Sequence, residues 1–188
     1  MVKEIDLTYE DDIVNTKHKI IGKRLLEFIH DPFVFSNSVY NRVSFIIEDK
    51  RYMLKNDIQV IDYYGADEDI CIMRIAEVDS KDIVSALENV KQEHIPVNAI
   101  ISDVKIIIEN SSMFVDDEKE YELSYVYALV LEISDGRKII FSRTDDFSES
   151  IEITRCTELD YDKIFSLSES IEEIDENIKF VKVRKIGL

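Results

Sequence analysis

The sequence predicts an α+β, β-rich fold, with antiparallel meander sheets and two or three helices. Three observations carry this. Apolar residues occupy every odd position from Tyr121 through Leu123, Tyr125, Tyr127, Leu129 and Leu131 to Ile133, the period of a strand with one face in a core. Asp135-Gly136 then sits between two apolar runs, a hairpin signal whose type I′ turn needs positive φ at both central residues. Two other segments repeat their apolar residues at steps of three and four, the period of a helix.

Taken in order, a short strand over Val2 to Leu7 is followed by Thr8, read as the N-cap of a helix with an acid three residues on. Val14, His18, Ile21, Leu25 and Phe28 give that helix (8–30) one face, and Asp31-Pro32 ends it. Gly22 disfavours a helix interior, and the competing reading is a pair of strands on either side of it. Phe33–Phe35 with Val39-Tyr40 reads as a short strand. Val43 to Ile47, the turn 48–51 and Tyr52 to Leu54 form a hairpin, followed by a strand from Ile58 to Tyr63. Tyr64 to Asp69 is an acidic turn before a strand from Ile70 to Val78.

Asp79-Ser80 reads as the cap of a second helix, Lys81 to His94, with Ile83, Leu87, Val90 and His94 on its face and Pro96 beyond. A strand from Val97 to Phe114 leads through an acidic loop, Val115 to Glu120, into the central hairpin, which runs to Arg143. Phe147 to Thr154 is a further strand, and Tyr161 to Phe165 is a helical turn or a strand. Ser168 to Ile174 is helix-like, and Ile178 to Ile186 is a terminal strand whose lysines suit an edge. Both halves repeat the order helix, strand, hairpin, strand, which suggests a pseudo-duplicated helix-plus-meander unit. The expectation is one domain over 1–188, with sub-halves 1–78 and 79–188 sharing a core.

Composition narrows the function. Lys and Arg number 23 against 40 Asp and Glu, a net charge of −17. Between Asp116 and Glu176 only 6 basic residues meet 19 acidic ones, whereas the last twelve residues carry four basic and no acidic side chain. Such a charge opposes direct binding to nucleic acid or anionic membrane, both of which need Lys and Arg. The apolar runs are too short for a transmembrane helix. With no secretory pattern and two distant cysteines, Cys71 and Cys156, the expected setting is a reducing cytoplasm.

No catalytic spacing is present. The three histidines (His18, His30 and His94) are not spaced as metal ligands, and the four glycines are too scattered for a phosphate-cradling loop. The acidic runs lack the spacing of a calcium loop, so they read as solvated surface and no cofactor is expected. Tyr121, Tyr125 and Tyr127 read as core with hydroxyls at its rim.

The favoured function is therefore a non-catalytic, acidic interaction module with a basic protein partner. Its candidate contact residues are Asp67, Glu68, Asp69, Asp116, Asp117, Glu118, Glu120, Asp145 and Asp146. The alternatives are an immunity-type inhibitor of a basic toxin or nuclease, a nucleic-acid mimic, and a small carboxylate-based enzyme.

Overall fold

A computed structural model describes residues 1–79, 85–165, 170–174 and 177–187. The described residues form an antiparallel-rich architecture of twelve strands and two helices. The first half comprises β1 (Lys3–Leu7), α1 (Glu10–Ile20), β2 (Arg24–His30), β3 (Ser38–Tyr40), β4 (Arg42–Ile47), β5 (Lys50–Tyr63) and β6 (Ala66–Val78). The second comprises β7 (Glu93–Val115), β8 (Glu118–Ile133), β9 (Lys138–Arg143), β10 (Ser150–Cys156), α2 (Tyr161–Phe165), β11 (Ser170–Glu173) and β12 (Ile178–Ile186).

The strands follow the order β3-β10-β9-β8-β7-β2-β4-β5-β6, with β1 parallel to β8 and β12 paired to both β7 and β11. Only Asn41, at φ 65°, separates β3 from β4. β3 pairs with β10 while β4 pairs with β2, so the hydrogen-bonded path returns on itself. Six positions (β10, β9, β8, β7, β2 and the continuous β3–β4) make a closed circuit, a barrel in the hydrogen-bonding sense. Its largest core cluster joins Phe28, Phe45, Ile101, Leu129, Phe141 and Ile151, with Phe141 edge-on to both Phe28 and Phe45. That cluster draws on both halves of the chain.

Both hairpins expected around residues 48 and 135 form, though the second uses a different turn. Gly136 alone has positive φ, 91°. Its N–H donates to the Ile133 carbonyl at 2.9 Å, and the Ile133 N–H donates to the Arg137 carbonyl at 2.8 Å. This is a type I turn closed by a left-handed glycine, not type I′. The turns at 64–69 and 115–120 tighten to two residues each, because the flanking strands extend into them.

The helical expectations fare less well. The first helix stops at Ile20; Gly22 adopts φ 80°, and Leu25 and Phe28 belong to β2, so the segment is helix before the glycine and strand after it. The helix begins after Tyr9, while the Thr8 hydroxyl donates to Asp6 at 2.7 Å and does not cap it. No helix covers residues 85–94: 85–92 are irregular and Glu93 opens β7, with 80–84 outside the described residues. Asp31, read as a helix terminator, instead accepts from the Ala86 and Leu87 N–H groups at 2.8 and 3.0 Å. Ser170–Glu173 is strand, not helix, with 168 and 169 outside the described residues. With no helix over 85–94 to match α1, and with β3 crossing to the other half's meander, a repeated helix-plus-meander unit is not confirmed.

Three smaller points differ. The hairpin strand expected to end at Leu54 and the strand expected from Ile58 are one strand, with residues 55–57 in the middle of β5. Phe33–Phe35 and Phe147 lie outside the strands and are exposed. β12 is flanked by β7 throughout and by β11 over Lys179–Lys182, so among the described residues its last residues pair with β7 alone.

The central strand contains a bulge that changes its faces. Ile107 pairs with Ala128 and Ile108 with Val126, leaving Tyr127 unopposed. One extra residue inverts the alternation. Leu123 and Tyr125 therefore face a small cluster with Ile61, Ile70 and Leu7, whereas Val126 joins Leu129, Leu131 and Ile133 in the barrel core. Ala128 and Val130 are covered by Phe165 of α2. No described helix is long and apolar enough to cross a membrane.

Candidate functional site

The β5–β6 hairpin folds over the outer face of β8 and brings the acidic segments to one end of the molecule. The agents are aromatic. Tyr64 packs against Tyr121 at 5.8 Å between ring centroids and against Phe180 at 4.7 Å, and its hydroxyl donates to Ser111. Tyr63 packs on Phe147 at 5.7 Å and donates to Asp146 at 3.2 Å. These contacts tie the β5–β6 tip to the β7–β8 tip and to the β9–β10 loop.

Asp67, Glu68 and Asp69 at the start of β6, Asp116, Asp117, Glu118 and Glu120 at the β7–β8 tip, and Asp145 after β9 are all exposed there. Among the described residues, Asp117 is ion-paired to Lys179, and the other seven have no cationic partner. Asp62 and Asp67 even lie directly opposite across the β5–β6 ladder, an unfavourable placement for like charges. Lys3 offsets it by pairing with Asp62 while sitting 5.5 Å above the Tyr121 ring. Its hydrogen bond, with the Gly65 N–H, lowers the Asp62 pKa.

Asp146 stands apart from the other candidates. Its side chain is 13 % exposed, and it belongs to a buried ionic cluster beneath the acidic end. Its oxygens meet Arg143 at 3.3 Å and Lys182 at 3.2 Å and accept from Tyr125 at 2.8 Å. Glu109, 2 % exposed, accepts from Arg184 Nε at 2.5 Å, lies 3.6 Å from Lys182, and also receives the Tyr125 hydroxyl. Arg143 stacks on Tyr125 at 4.4 Å, and Arg184 on Tyr127 at 3.7 Å. Two acids thus meet three cations in a low-dielectric interior, where unpaired charge is costly. Arg143 remains under-served, since its Nε and Nη1 find no partner among the described residues.

Titration follows from this packing. Burial pushes the Asp146 carboxyl up, but Lys182 and Arg143 override it and hold the pKa below the ordinary value. Burial, then the Asp146 and Glu109 charges, drive the Tyr125 pKa far upward. Tyr64 is pushed up to about 12, mainly by burial. An acid catalyst needs a carboxyl of raised pKa; Asp146 is the reverse, locked in ion pairs as a carboxylate.

The sequence did not point to Glu109, Arg143, Lys182 or Arg184. The one signal for Glu109 was that it interrupts an apolar stretch beginning at Ile106. His18 and His94, expected on apolar helical faces, are exposed; His94 lies 3.2 Å from Glu27. His30 is buried, stacked between Phe28 and Phe33. Cys71 is fully buried and its thiol pKa is pushed up to about 11, mostly by burial. No group of three or more His, Cys, Asp or Glu suited to a metal ion occurs among the described residues. No family model, curated protein or solved structure matches the chain.

Proposed function

We propose that the protein is a non-catalytic binding module whose acidic end docks a basic protein. The supporting observation is the convergence of three acidic segments, distant in sequence, on one end, with seven exposed carboxylates lacking cationic partners among the described residues. A field of one sign speeds encounter with an oppositely charged partner and gives it orientation. The ionic cluster beneath serves as a rigid support: it fastens β12 and the β9–β10 loop against β7 and β8.

An inhibitor of a basic toxin or nuclease is the specific form this reading favours, since such a partner presents a cationic active site for carboxylates to cover. The test compares the wild-type chain with a variant carrying Asp67→Asn, Glu68→Gln, Asp69→Asn, Asp116→Asn and Glu118→Gln. Both are used as bait in lysate of the source cell. Capture of a cationic protein by the wild type, reversed by salt and lost in the variant, is expected. Equal capture by the variant, or no salt-sensitive partner, overturns the reading.

A further inference from the structure

Away from the acidic end, at the start of β7, the barrel opens into a mouth. The β7–β8 ladder begins only at Ile101↔Ile133, so Glu93 to Pro96 pair with β2 alone among the described strands. Beyond β2 the chain passes over to β3, and Phe33 in that passage stacks on His30 at 5.0 Å. Two adjoining lobes, of 350 and 380 Å³, fill the mouth and share Phe28, Ile95 and Arg155. Each is the size of a small-molecule site, and barrel mouths commonly hold such sites.

Strand register decides which side chains face the mouth. Phe28 lies opposite Ile95, and His30 opposite Glu93. Residues two apart share a face of a strand, so all four point to the side on which Phe28 enters the barrel core. On the facing wall Ile151 and Ile153 belong to that same core, and Arg155, opposite Ile139, continues their face. Glu93 and Arg155 therefore look into one lobe from two walls. Both are exposed, and neither side chain has an ion pair or hydrogen bond among the described residues. An acid and a base that line one small cavity without meeting leave room for a group with the complementary order of charges.

His30 supplies a buried polar group. It is 2 % exposed, held between Phe28 and Phe33, with Nδ1 2.7 Å from the Asp31 carbonyl. A carbonyl only accepts, so Nδ1 carries the hydrogen and Nε2 is the acceptor of the uncharged ring. Nε2 has no partner among the described residues, and the ring lines the lobe together with Glu93. One wall thus accepts hydrogen bonds, at Glu93 and His30, and the other donates, from Arg155. The larger lobe adds apolar surface from Val97 and Ile139.

We propose that this mouth binds a small zwitterion with an apolar side chain, of the chemical class of the free apolar α-amino acids. Its ammonium group is met by Glu93 and His30 Nε2, its carboxylate by Arg155, and its side chain lies in the larger lobe over Phe28, Val97 and Ile139. A simple anion would face Glu93 unpaired, and a simple cation would face Arg155. The site stands apart from the acidic end, since Ile95 and Val115 lie near opposite ends of β7, and neither reading rests on the other.

Calorimetric titration with phenylalanine, 3-phenylpropanoate and phenethylamine tests this, because the second lacks the ammonium group and the third the carboxylate. Phenylalanine is expected to bind about tenfold more tightly than either, the value of one charge-assisted contact. Arg155→Gln is expected to weaken phenylalanine about tenfold without weakening phenethylamine. Glu93→Gln is expected to weaken phenylalanine without weakening 3-phenylpropanoate. Both variants should keep the wild-type Tm, because neither side chain has a partner to lose. Absence of phenylalanine binding, an analogue that matches it, or a variant with undiminished affinity for it overturns the proposal. Should a variant melt early, the comparison of the three ligands on the wild-type protein decides alone.

Discussion

Arg184 Nε donates to Glu109 at 2.5 Å across 75 positions of sequence, joining the last strand to the middle of the longest one. Glu109 is also the acid shared by Lys182, so a single carboxylate answers two cations on β12. Replacing it by Gln leaves both facing a neutral amide. Glu109→Gln is expected to lower stability by about 3 kcal/mol, the cost of breaking a buried pair from one side. Denaturant melts of Glu109→Gln, Arg184→Met and the double variant check it, with the double variant less destabilised than the sum of the singles.

Acid should weaken the fold through Asp146. Its folded pKa lies below the unfolded value of about 3.9, so its stabilising effect is complete above about pH 4. That effect is lost as pH falls through the depressed value. Melting temperature measured from pH 7 downward should drop below about pH 4 in the wild type. In Asp146→Asn the profile starts lower and falls less steeply.

Alkali should act through the buried phenols. The Tyr125 and Tyr63 pKa values are raised, burial being the largest cause in each, so both stay neutral in the fold while unfolded tyrosine ionises near pH 10. Stability is therefore full below about pH 10 and declines as pH rises beyond it. Tyr125→Phe should flatten this decline and cost about 1–2 kcal/mol at pH 7, because two buried carboxylates lose their shared donor. Urea melts at pH 7, 10 and 11 give both numbers.

Gly136 needs its positive φ of 91°, but a Cβ added to it would meet nothing within 4 Å. Gly136→Ala should therefore cost about 1 kcal/mol from backbone strain alone. A melt showing no loss would mean the turn can adopt another form.

Leu129 is 3 % exposed within the barrel core. Leu129→Asp should abolish cooperative folding, since an unpaired carboxylate there has no acceptable partner. Circular dichroism and the absence of a thermal transition check this.

Strands and their tight turns are legible because period-two alternation and Asp-Gly are local signals. The helical reading of β2 is local in origin too. Leu25 and Phe28 satisfy a helical step of three, and they are buried in β2 as well, because a register shift between Leu25 and Glu27 changes which residues face the core. The Tyr127 bulge is equally hidden, since an apolar tyrosine continues the odd row whether or not the pairing slips. Ion pairs leave even less trace: Glu109 and Arg184 look like ordinary polar positions of separate strands until the ladder between β7 and β12 sets them side by side. The acidic segments are exposed, as their charge implies, except at Asp146, but their meeting at one end depends on how the β5–β6 hairpin folds back.

The junction at Asn41 carries a consequence for synthesis. Its amide bonds Glu149 at 2.8 Å, 108 positions away, and the adjacent β3 takes β10 as its strand partner. A nascent chain that has just emerged through β6 holds a stretch of backbone whose partner has not yet been translated. Final assembly must wait for residue 150 and beyond, so folding after release should be slow for a protein of this length, in keeping with long-range strand pairing. Separate expression of 1–78 should yield an aggregation-prone fragment, because its exposed apolar strands can seek another chain instead.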